Sequence, residues 1–304
     1  MARSPRFQAL LEQSSTLLHL LALAARLEGE GQYNLAKLAR AAADSISRRA
    51  AYQLIIPTDQ DQLVADIEQT VETLSSLDVD ENLLVALKRG VAAMSAVRLP
   101  LIDETPHAYV CRTCGYLVLD EPAQKCPTCG AWPSTYQRFP PVYWLDALEP
   151  LAALEKLRQT PVEVAKLLEG LSEDEMEQRP MDGGWAIRNI VSHLRDAQGV
   201  LSFRLDLFLK EEHPILESQA VFAWATIEEE YPPTALEIFE TYKASRAETL
   251  IKLKSIPLAD WWHTGLHEEF GSVTLRQQVS YFASHEITHL PQIELLRRQL
   301  VGSE

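Results

Sequence analysis

The chain has 304 residues, 46% of them hydrophobic and 23% charged, with 28 Lys and Arg against 43 Asp and Glu and a formal charge of −15. Such a composition belongs to a globular protein, and the negative field argues against nucleic acid or anionic lipid as direct partners. No apolar run reaches the ~18–20 residues of a membrane span, so a cytoplasmic protein without a membrane partner is expected.

Residues 1–104 are rich in Ala and Leu at helical spacing. The apolar run "TLLHLLALAA" (16–25) is interrupted by His19 and followed by Arg26, Glu28 and Glu30, which suits an amphipathic helix better than a secretory signal. Breaks at 28–32, 55–62 and 75–82 divide the region into four helices, for which an antiparallel bundle is the economical packing. His19 lies on the apolar face and is expected as a packed core histidine.

Composition changes over 105–141, where Cys, Gly, Pro and Tyr replace Ala and Leu. Short strands and turns are expected. The segment is too small for an adequate core, so a metal would have to supply stability. From 143 to 304 helical periodicity returns in four segments, 148–172, 185–212, 234–256 after Pro232 and Pro233, and 274–300 with Thr274 as N-cap. Pro291 should kink or restart the last helix, because it lacks an amide donor, and could tilt His289 out of line. The fold class is thus mainly α: two helical bundles linked by a small β metal module, with domains at 1–104, 105–141 and 143–304.

All four cysteines lie in the middle segment as two C-x-x-C-G turns, Cys111 and Cys114, then Cys126 and Cys129. Two such turns can close a tetrahedral thiolate site, and this is the most specific signal in the chain. "CRTCGY" followed by "CPTCGA" resembles a rubredoxin-type module in the shortened form found in rubrerythrins. The resemblance implies iron on four thiolates, with zinc as the redox-silent option. Tyr109, Tyr116, Trp132 and Phe139 would cover the site. "ARLEGEGQYNLAKLARAAADSISRRA" (25–50) is faintly similar to the ferritin-like half of rubrerythrins, but Ile46 and Arg49 stand where a Glu-x-x-His pair would fall, which implies a degenerate bundle.

Near the end, "HEITH" contains H-E-x-x-H. His285 and His289 share one helical face and can reach one ion. A peptidase also needs a further downstream ligand, and only Glu294 and Glu304 follow. His193 in "DGGWAIRNIVSHLRDAQ" lies beside the apolar stripe of the 185–212 helix and is the available third imidazole. Glu286 is either a solvated or interhelical carboxylate, or a partner that supports a metal ligand or acts as a base. His107, His213, His263 and His267 carry weaker cases, the last two as loop residues near a pocket mouth, and Trp185 is expected to anchor its helix to the core.

"LRQTPVEVAKLLEGLSEDEMEQRPMDGGWAIRNIVSHLRDAQ" (157–198) and "GSVTLRQQVSYFASHEITHLPQIELLR" (271–297) together resemble the DinB-like superfamily. The resemblance implies a four-helix bundle over about 143–302 with His193, His285 and His289 as a triad for a divalent metal: zinc, nickel or iron. It also implies metal-dependent enzymes acting with small thiols. The leading expectation is therefore a transferase or hydrolase that activates a low-molecular-weight thiol or water against a small-molecule substrate, with homodimer formation left open. The rival is a redox or metal-responsive protein built on the cysteine site, and an H-E-x-x-H peptidase stands third.

Overall fold

Apolar residues recurring every three or four positions make residues 187–210 a helix with one buried stripe: Ile187, Ile190, Val191, Leu194, Ala197, Leu201, Leu205 and Phe208. The computed structural model describes residues 5–52, 60–77, 79–181, 183–218 and 233–301. The chain divides into two compact units: residues 1–84, 110–118 and 122–137, and residues 85–109, 119–121 and 138–304. Pro232 and Glu304, and most of the break expected at 55–62, lie outside the described residues.

In the first unit α1 (Pro5–Gly29) and α2 (Tyr33–Tyr52) pack as a hairpin across a turn containing Gly31. Alanines make the contact: Ala24, Ala36, Ala39 and Ala43 are buried, whereas Leu18, Leu21, Leu35 and Leu38 are exposed. His19 is exposed as well, not packed in a core as its apolar face suggested. Leu17, Leu20, Leu23 and Leu27 of the same helix are partly buried, whereas Leu18 and Leu21 on either side of His19 stay exposed. Helix α3 (Gln60–Ser75) also belongs to this unit, most of α4 (Glu81–Ser95) belongs to the second, and both precede the cysteine segment. There β1 (Ala108–Cys111), β2 (Leu117–Leu119) and β3 (Tyr136–Phe139) form a sheet in the order β2-β1-β3.

The second unit holds a four-helix bundle. Its members are α5 (Pro150–Leu168), α7 (Ile187–Lys210), α8 (Ala235–Ser255) and a last helix broken into α9 (Leu275–Ile287) and α10 (Leu290–Val301), with the one-turn α6 (Glu173–Glu177) between α5 and α7. Helix α5 packs on α8 and α9, and α7 packs on the same two. Caps set the entries: Ser172, Thr234 and Thr274 each accept from the third following amide, and Glu175, Glu237 and Gln277 return the bond. The break between α9 and α10 falls where Pro291 predicts a restart, because its ring cannot donate to the Ile287 carbonyl.

Pro161 lies inside α5 and removes the same kind of bond, leaving the Leu157 carbonyl without its helical donor. Arg246 of α8 donates to that carbonyl at 3.0 Å. The proline thus opens an acceptor that ties two helices together.

A second sheet, absent from the periodicity, joins the connections of this unit. β4 (Ile215–Leu216) runs parallel to β5 (Thr264–His267), which pairs antiparallel with β6 (Gly271–Thr274). Gly265 allows the close approach: a Cβ there would meet the side chain and carbonyl oxygen of Pro214 at 2.9 Å. His267, expected in a loop, is the buried last residue of β5. Strands this short carry too few alternations to be read from sequence.

Candidate metal centres

The two C-x-x-C-G turns are built alike. The amides of Cys111 and Cys126 donate to the carbonyls of Tyr116 and Ala131, and Gly115 and Gly130 donate back to Cys111 and Cys126, all at 2.8 Å. Both glycines have positive φ, +82 and +73, which spares each turn a Cβ in the left-handed region. Cys111 lies 3.7 Å from Cys129, and Cys114 lies 3.6 Å from Cys126, sulfur to sulfur. Four sulfurs at about 2.3 Å from one ion stand about 3.8 Å apart along a tetrahedral edge, so the thiol set fits an ion of that size. Cys111 and Cys126 are buried, while Cys114 and Cys129 are exposed. Trp132, expected as apolar cover, is 64% exposed, with the ammonium of Lys125 over its ring at 5.3 Å.

The second cluster spans the bundle. His193 comes from α7 and His285 from α9, with His289 at the break before α10, and their metal-binding atoms all lie within 4.8 Å of one another. His285 Nε2 is 3.3 Å from His193 Nε2 and 3.2 Å from His289 Nε2. Nitrogens at about 2.0–2.1 Å from a shared ion stand about 3.3–3.4 Å apart along a tetrahedral edge, so the imidazole set fits one cation. The restart at Pro291 does not swing His289 away. At the break the His289 amide donates to the Glu286 carbonyl at 3.1 Å, a three-residue step that keeps its ring over His285.

Neutral imidazoles are what a cation requires, and this site supplies them. Burial, and after it the neighbouring imidazoles, push His193 and His285 down to about 4 each. His289 Nδ1 lies 2.9 Å from Gln292 Oε1, an acceptor that places the ring proton on Nδ1 and leaves the Nε2 lone pair for an ion. Tyr281 stacks on His285 at 5.9 Å and 5°, and Trp144 lies 5.7 Å from the same ring.

Trp185 is not the core anchor its position suggested. It is 51% exposed, 5.1 Å from the His193 ring and stacked at 18° on His289. With Pro180, Ile190, His289, Gln292 and Leu296 it lines an open groove of about 520 Å³.

Glu286 is not among the donors that gather here. It is fully buried, takes a bidentate ion pair from Arg246 and accepts from the Tyr242 hydroxyl at 3.1 Å. Of the two roles open to it, the interhelical one is observed. His107 accepts from Arg138 at 2.7 Å and His263 Nε2 meets the Glu212 carbonyl at 2.8 Å, so neither joins the cluster. His267 lies close to it, on a smaller cavity that also touches His193 and His285, with Arg204, Glu269 and Tyr281. Periodicity marked Arg204 only as one more position on α7, and nothing local singled out Glu269.

Among the described residues no helix is long and apolar enough to cross a membrane. Residues 156–293 match the profile of the DinB superfamily. A protein of Oceanobacillus iheyensis is 24% identical over 153 residues, covering 50% of this chain and 83% of its own, and one of Bacillus cereus is 24% identical over 147 residues, covering 48% and 84%. Both have "metal-dependent hydrolase" in their names. Among solved structures YfiT from Bacillus subtilis, described with the same words and "an unusual four-helix bundle topology", superposes with a TM-score of 0.45 at 19% identity, covering 51% of this chain and 90% of its own. The carboxy-terminal part of the chain, residues 156–293, is therefore a DinB superfamily domain, preceded by four clustered cysteines that fit a rubredoxin-like module.

Proposed function

We propose that the DinB domain is a metal-dependent hydrolase in which His193, His285 and His289 hold one divalent cation: zinc, nickel or iron. The convergence of three imidazole Nε2 atoms, from two helices and the break that follows, carries this reading. A cation bound there would supply Lewis acidity and lower the pKa of a water or small thiol. The protein's own part is to hold the rings. Gln292 orients His289, Tyr281 and Trp144 cover His285 on the buried side, and Trp185 leaves the groove open on the other. Relatives with "metal-dependent hydrolase" in their names support hydrolysis over transfer. The groove of about 520 Å³ favours a second reading, in which a low-molecular-weight thiol enters beside Trp185 and replaces water as nucleophile.

Glu286, the base that an H-E-x-x-H peptidase would use, is engaged with Arg246 and Tyr242 instead. At the cysteine site we propose zinc or iron on Cys111, Cys114, Cys126 and Cys129. Exposure of Cys114 and Cys129 favours an electron-transfer role if the ion is iron.

Elemental analysis of the purified protein and of His193→Ala, followed by ester and amide hydrolysis with and without chelator, tests the proposal. The variant should lose the cation that is not held by sulfur, and turnover should stop with it. Unchanged occupancy in His193→Ala, or hydrolysis indifferent to chelator, would overturn the hydrolase. Acceleration by added thiol would favour the second reading.

A further inference from the structure

Beside the histidine centre lies a cavity of about 100 Å³, lined by His193 and His285 together with Arg204, Ser218, His267 and Glu269. That volume accepts a few heavy atoms, the size of one polar group. Arg204 is 4% exposed, and its guanidinium donates to Gln278 Oε1 at 3.1 Å and to the Glu217 carbonyl at 2.8 Å. No carboxylate among the described residues comes within ion-pair distance of it, and Glu269 acts on its charge only from across the cavity. A buried guanidinium is ordinarily matched by an anion, because neutral acceptors recover only part of its lost hydration.

His267 brings a second donor of fixed sense. The backbone amides of Glu269 and Phe270 donate to its Nδ1 at 3.1 and 3.3 Å, so that nitrogen carries the lone pair. The ring is neutral, since burial and the nearby Arg204 hold it down to about 3. Its proton is therefore on Nε2, which no acceptor among the described residues meets. Phe270 stacks on the ring at 4.2 Å and 8°, and fixes its plane.

We propose that this cavity is a carboxylate subsite: a substrate of the histidine centre carries a carboxylate that Arg204 grips and the Nε2–H of His267 caps, with the reacting bond toward His193 and His285. The assignment to a substrate rests on the hydrolase reading above. Glu269 shares the cavity and narrows the ligand class, because its own carboxylate opposes a second charge and disfavours a dianion such as phosphate. Arg204 is a specificity residue here, and His267 a positioning donor.

The test is calorimetric titration of sodium acetate into the full-length chain stripped of cation by chelator, with inorganic phosphate titrated in parallel. Acetate should bind and phosphate should not. Arg204→Gln should weaken acetate about tenfold or more, the scale of a hydrogen-bonded charge. His267→Phe, which keeps the stack on Phe270, should weaken it severalfold. Glu269→Gln, at a half-buried position that needs no repacking, should tighten acetate and admit phosphate, and so remains informative if Arg204→Gln fails to fold. No acetate heat in the wild type, or the same affinity in Arg204→Gln and His267→Phe, would overturn the subsite. Cation uptake measured on the same samples separates the two ideas: lost acetate binding with normal uptake removes only the subsite, whereas absent uptake with acetate still bound removes only the hydrolase.

Discussion

Glu286 and Arg246 meet in the centre of the bundle, both almost wholly out of solvent, and Arg246 reaches all four helices: Leu157 of α5, Gln198 of α7 and Glu286 of α9, from its own place on α8. The glutamate of H-E-x-x-H is thus held in a structural knot, one residue along from a histidine of the candidate site. Glu286→Gln should lower stability by roughly 3–5 kcal/mol, the cost of leaving a buried charge without its partner. Urea unfolding checks it. A variant as stable as wild type that had lost only turnover would return Glu286 to catalysis.

Gln292 gives a second prediction. Replacing it with Leu removes the acceptor that sets the His289 tautomer, and cation affinity should fall by about 10–100-fold. Gln292→Glu keeps an acceptor and should retain the affinity. Competition against a chelator of known affinity measures both, and equal affinity in wild type and Gln292→Leu would contradict the role.

His267 predicts acid sensitivity. Its pKa is about 3 in the fold against 6.5 as the ordinary value, so between those limits the unfolded chain binds a proton that the native chain does not. Stability from this residue is complete above pH 6.5 and falls as pH drops toward 3, by about 2 kcal/mol between pH 7 and pH 5. Comparing denaturant midpoints of wild type and His267→Phe at both values isolates the effect. Parallel pH profiles for the two proteins would count against it.

At the cysteine turns, removing the ion should loosen residues 110–137 while the bundle is unaffected, because so short a segment has little core of its own. Hydrogen exchange on chelated protein should show early loss of protection at Cys111, Gly115, Cys126 and Gly130, whose amides close the turns. Cys111→Ser should reproduce that pattern without chelator. Full protection after the ion is gone would show that the turns need no metal.

Local chemistry made much of this protein legible. A 3.6-residue repeat marks the buried stripe of α7, Thr274 marks the start of α9, Pro291 marks its break, the cysteine spacing groups four thiols, and the histidine spacing pairs His285 with His289. The leucines of α1 and α2 show the limit of the same signal: periodicity identifies an apolar face but not whether anything covers it.

What sequence by itself determined is therefore which side chains share a turn or a helical face, since those relations are carried by bonds within a few residues. Only tertiary structure brought His193 to His285 across 92 positions, turned Glu286 inward to Arg246, and formed the short β5 that sets His267 on the cavity with Arg204. Those meetings depend on how separate helices and strands pack against one another, and packing is the joint result of every buried side chain, so no single stretch of sequence records it.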